Sequence, residues 1–156
     1  MTLNSFSIAL HVLSAIVWVG GMFFAHQLLR PVAASQLEPP VRLQLWVGIF
    51  KRFFPFVWLS VLFLPLTGYL MIFTIWGNFA ATPLYVHIMN GTGTMMILIY
   101  MHVYFAPFKR LKLAVAAQDW QDGGARLNQI RKLVGINLTL GLITIVIASA
   151  GRYFAV

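Results

Sequence analysis

Four apolar runs, at about residues 6–29, 53–76, 84–106 and 134–154, are each close to the length needed to cross a bilayer. A hydrocarbon core about 30 Å thick takes roughly 20 helical residues, and a helix satisfies its own backbone polar groups there. Hydrophobic residues make up 60% of the 156-residue chain and charged residues 9%, so little remains for a body outside the lipid. The sequence predicts an all-α integral membrane protein, a single domain over residues 1–156 with four transmembrane helices running up, down, up, down. The first run has no basic residues before it, and Arg30 and Pro31 stand where a cleavage site needs small residues. It is therefore expected to stay in place as a helix.

Charge sets the orientation. Arg30, Arg42, Lys51 and Arg52 lie between or beside the first two runs, and Lys109, Arg110, Lys112, Arg126, Arg131 and Lys132 between the last two. The second connection, GNFAATP, has none. Lys and Arg are retained on the cytoplasmic side, so connections one and three face inward and both termini outward. The net charge of +8 is a topology signal of this kind, not a nucleic-acid surface, because the basic residues flank apolar spans. Pro39 and Pro40 are expected to interrupt the first connection, leaving a short interfacial helix after them, and Pro55 and Pro65 to bend the second span. Trp76, Tyr85, Tyr104 and Trp46 are expected to be interfacial anchors.

The chain has four histidines and no cysteine. His11 and His26 are fifteen residues apart in the first run, as are His87 and His102 in the third. In an up-down-up-down bundle those helices are parallel, so His11 meets His87 at the outer level and His26 meets His102 at the inner level, about 22 Å away. Two neutral imidazoles close both axial positions of a haem iron and favour electron transfer. The expected metal ligands are thus His11 with His87 and His26 with His102, holding two haems b. Fifteen residues also leave two side chains about 60° apart in azimuth, an offset that a π-bulge absorbs. Gly20, Gly21, Gly91 and Gly93 are candidates for close approach of a porphyrin face or of another helix. Arg52 and Arg152 are candidate partners for haem propionates, as are Arg30 and Lys51.

Copper is the alternative. Met22, Met89, Met95, Met96 and Met101 accompany the histidines, and thioethers with imidazoles suit Cu(I). The only acids, Glu38, Asp119 and Asp122, lie in the basic connections, which excludes paired-carboxylate catalysis within the membrane.

The segments LHVLSAIVWVGGMFFAHQLLRP, LPLTGYLMIF, GTMMILIYMHVYFAPFKRL and IRKLVGINLTLGLITI resemble the bacterial CopD family of copper-resistance membrane proteins, over all four runs. The chain is more distantly similar to HemJ-type membrane protoporphyrinogen oxidases, with His11 and His102 in comparable places. That family carries a lysine early in the third helix, where this chain has Asn90. The CopD resemblance implies a bacterial inner membrane, with both termini periplasmic by the charge rule, and copper handling. The histidine pattern implies a transmembrane b-type cytochrome, possible as a haem b oxidoreductase, passing electrons between a periplasmic partner or small oxidant and quinone or another redox protein. An accessory respiratory subunit is a further reading. The lipid bilayer is the expected surround, and the apolar perimeter of so small a bundle suits a homodimer.

Overall fold

The computed structural model describes residues 3–154, apart from the side chains of Arg152 and Phe154. Every regular element among the described residues is helical, and the helices join into four rods. The first rod links α1 (Leu3–Phe23) through a π-helical segment, Phe24–Leu29, to α2 (Arg30–Gln36). The second is α3 (Pro39–Ile75), and the third links α4 (Leu84–Val103) through a second π segment, Tyr104–Phe108, to α5 (Lys109–Ala116). The fourth is α6 (Trp120–Phe154). Leu3–Gln36, Pro39–Ile75 and Trp120–Gly151 are each long and apolar enough to cross a membrane. The 20-residue α4 is more polar, with His87, Asn90, Thr92 and Thr94 among its first 11 residues. The chain is a multi-pass, all-α membrane bundle.

Each rod packs mainly on its antiparallel neighbour, α1 on α3 and α4 on α6, while α6 also touches α3 and α1. The two histidine-bearing helices, α1 and α4, are not a principal packing pair. Glycine lets α6 come close: a Cβ on Gly141 would lie 2.9 Å from Val19 Cγ2 and 3.1 Å from Met96 Cε, so one missing side chain admits both α1 and α4. The core is an aromatic column. Phe50 and Phe54 stack at 5.2 Å, Tyr100 meets Trp18 edge-on at 6.0 Å, and the Tyr100 hydroxyl donates to the Phe54 carbonyl at 3.2 Å. That bond removes the penalty of burying a hydroxyl. Phe6, Ile16, Leu62, Leu98 and Val146 remain exposed around the perimeter, as suits side chains that face lipid.

The rods are longer than the apolar runs. At 1.5 Å per residue, helices of 34–37 residues extend about 51–56 Å, some 20 Å beyond a hydrocarbon core. The surplus lies at the end that carries the basic residues, where α2, α5 and the starts of α3 and α6 form a small bundle. Leu43, Trp46, Leu111 and Ile130 are its buried core. Pro39 and Pro40 therefore begin α3 and do not interrupt it, because a proline in the first helical turn lacks only an N–H that would have no partner there. The helix also continues through Pro55 and Pro65. Trp46, expected as an interfacial anchor, is 6% exposed and packs at 5.4 Å from the Phe50 ring.

Candidate functional site

His11 is fixed from α3. Its Nδ1 lies 2.8 Å from Thr67 Oγ1, and the Thr67 hydroxyl donates to the Phe63 carbonyl. The threonine has one proton, already committed to Phe63, so the imidazole Nδ1–H is the donor and Nε2 keeps its lone pair. Gly68 leaves room for the ring, since a Cβ there would stand 3.4 Å from His11 Cε1.

His87 has the same arrangement in mirror form. Thr82 Oγ1 donates to the Phe79 carbonyl at 2.7 Å and stands 3.0 Å from His87 Nε2, so Nε2–H donates and Nδ1 is free. The Phe79 ring meets the imidazole edge-on at 4.5 Å. Both histidines at the neutral end thus carry what a metal-binding histidine needs, one nitrogen tied down and one available.

The other two histidines have different surroundings. His26 lies in the first π segment and faces α6, where a Cβ on Gly135 would be 3.1 Å from its Nε2; its buried Nδ1 has no hydrogen-bond partner. His102, near the end of α4, is exposed at the bundle perimeter. The π segment at Phe24–Leu29 does add the local distortion expected of a fifteen-residue spacing, and the second begins two residues after His102.

The glycines divide differently from expectation. Gly20, Gly91 and Gly93 have no protein atom within 4 Å of a Cβ position, whereas Gly21 lies under the Phe53 ring, which occupies that position. Gly21 is thus a close helix contact of the kind expected, and Gly135, Gly141 and Gly151 make others. Arg52 is exposed on α3, and the Arg152 side chain lies outside the described residues.

Two cavities adjoin in the interior. One, about 320 Å³, lies at the basic end and is lined by His26, Arg30, Arg42, Trp46, Trp120 and Arg131 among others. The other, about 400 Å³ and almost wholly apolar, is lined by residues including Trp18, Met22, Phe53, Tyr100 and Asn137. Ala25, Phe50 and Val134 border both. Asn137 is 3% exposed and donates through Nδ2 to the Met96 carbonyl at 3.3 Å, while its Oδ1 has no partner. A buried polar atom left unpaired costs about 1–3 kcal/mol, and His26 Nδ1 and Asn137 Oδ1 are two such atoms, on residues that line the two cavities. Among the described residues no three His, Cys, Asp or Glu side chains gather as a metal site.

Asn137 was missed in the sequence, although a polar residue within the apolar run INLTLGL was a visible signal. Thr67 and Thr82 gave no signal, because threonines at those spacings commonly bond their own helix or turn.

These features define a helical multi-pass membrane protein with Met22 and Met96 buried in its core and His11, His26 and His87 partly buried. Residues 47–150 match the family model of copper resistance protein D (CopD), which covers more than half of the chain, and the protein belongs to that family. The match spans most of α3, all of α4 and α5 and most of α6, leaving His11 and His26 outside it. No curated protein and no solved structure matches the chain.

Proposed function

We propose that the protein handles Cu(I) as cargo within the membrane, passing it between the neutral end and the basic end of the bundle. Family membership supports copper as the ion. The observation that carries the reading is that Met22 and His26, four residues apart on the first rod, line two neighbouring cavities, with one imidazole nitrogen unpartnered. A thioether and a neutral imidazole are the donor types Cu(I) selects. Buried Met96 and the free carbonyl oxygen of Asn137 add polarisable and dipolar groups nearby, and His11 with its free Nε2 supplies a donor nearer the neutral end. By the retention of Lys and Arg, the basic end faces the cytoplasm of a bacterial inner membrane and both termini face the periplasm. The test is Cu(I) flux into proteoliposomes. Met22→Leu with His26→Ala should lower it about tenfold or more, and His102→Ala should leave it unchanged; wild-type flux in the double variant would overturn the reading.

One observation favours a second reading, a b-type cytochrome carrying electrons to quinone or another redox partner. His11 and His87 are each held by a threonine with the second nitrogen free, as an axial haem ligand requires. Exposed His102 gives the inner pair no such support. A reduced-minus-oxidised spectrum of protein expressed with ample haem separates the two readings: protohaem in stoichiometric amount selects the cytochrome, and its absence leaves copper.

A further inference from the structure

The cavity at the basic end has a lining that a cation site does not explain. Arg30, Arg42 and Arg131 reach it from α2, α3 and α6, and no Asp or Glu side chain lines it. The ion pair found among the described residues joins Arg126 to Asp122, so none of these three guanidiniums is neutralised by a carboxylate. Arg42 makes one hydrogen bond, from Nη1 to the Ala34 carbonyl at 3.3 Å. Three like charges on the walls of one space repel each other, and an anion held there is attracted by all three.

Two further features narrow the anion. Trp46 and Trp120 line the same cavity, and the apolar cavity adjoins it across Ala25, Phe50 and Val134. The two neighbouring cavities therefore offer guanidinium forks in one and an apolar chamber in the other, which suits a molecule with an oxyanion head and a hydrocarbon tail. Its place also matters: the arginines lie where the long rods leave the apolar runs, at the level of lipid headgroups. Basic pockets between membrane helices at that level take anionic headgroups.

We propose that this cavity binds an acidic phospholipid of the phosphatidylglycerol class, its phosphodiester among Arg30, Arg42 and Arg131 and an acyl chain directed into the apolar cavity. The lipid neutralises the basic mouth. An acyl chain there and Cu(I) at Met22 and His26 exclude one another, so bound lipid closes the proposed copper path.

The test uses the full chain purified in a neutral detergent and titrated with dioleoyl phosphatidylglycerol, dioleoyl phosphatidylcholine and inorganic phosphate, read by native mass spectrometry and thermal melting. The phosphatidylglycerol should bind at one site about tenfold or more tightly than the phosphatidylcholine and raise the melting temperature, with phosphate doing neither. Arg42→Gln with Arg131→Gln should reduce it to the level of phosphatidylcholine, and Ala34→Phe, which fills the cavity with its arginines intact, should do the same. Lys109→Gln with Arg110→Gln, at exposed positions outside the cavity, should have no effect. Equal affinity of the wild type for the two lipids overturns the proposal whatever the variants do. So does stabilisation by phosphate equal to that by lipid, which makes this a free-anion site, or equal loss in the Lys109/Arg110 variant, which makes the attraction diffuse.

Discussion

Threonine decides which nitrogen of each histidine at the neutral end is available. Thr67→Val removes the acceptor for His11 Nδ1–H and unlocks the ring, while keeping the volume of the side chain. Loss of such a supporting bond typically lowers metal affinity about 10–100-fold. The expected outcome is that fall in Cu(I) affinity by competition titration, with helicity unchanged and Thr67→Ser restoring it. At His26 the determinant is space: Gly135→Val places branched carbons where the imidazole now lies, 3.1 Å from the Cβ position, and should displace the ring and weaken Cu(I) binding comparably. The four histidines were plain in the sequence as polar residues in apolar runs. What each one faces was not, because pairing by depth ignores azimuth. His11 faces α3 and His26 faces α6, and glycines chosen by proximity in sequence missed Gly68 and Gly135, which the facing helices supply.

Among the elements, the apolar runs were legible because hydrophobicity over 20 residues leaves few alternatives. The helices beyond them were not, since charged residues interrupt the apolar pattern there and Pro39 with Pro40 reads equally as a stop or a start. Burial of Leu43, Trp46, Leu111 and Ile130 shows what settles it: three rods share a small core outside the apolar runs. Trp46→Ala empties a site that is 6% exposed and should destabilise the protein by about 3–5 kcal/mol in chemical unfolding. Trp76→Ala, at the opposite end and outside the core cluster, should cost far less. Equal losses would mean that Trp46 anchors the interface after all. The π segments belong to the same scale. Each adds a residue between a histidine-bearing α-helix and the basic end, so the donors and the short helices beyond them keep separate registers.

For the whole molecule, the distribution of charge and the length of the rods point the same way. The end with α2, α5 and the start of α6 carries the unpaired arginines and projects about 20 Å past the apolar core, whereas the opposite connection, residues 76–83, is uncharged. Moving the basic end across the membrane would require transfer of many cations, so the expected outcome of insertion is a basic end on the cytoplasmic side. The absence of cysteine makes this directly measurable. Asn78→Cys reports the neutral end, and Ala117→Cys, beside the turn at Gln118 (φ 57°), reports the basic one. A thiol reagent that cannot cross the membrane should label the Asn78 variant in spheroplasts and the Ala117 variant only after lysis. The reverse pattern would put the arginine-lined cavity on the periplasmic side. It would also reverse the direction of the proposed copper path, because the free nitrogens of His11 and His87 would then face the cytoplasm.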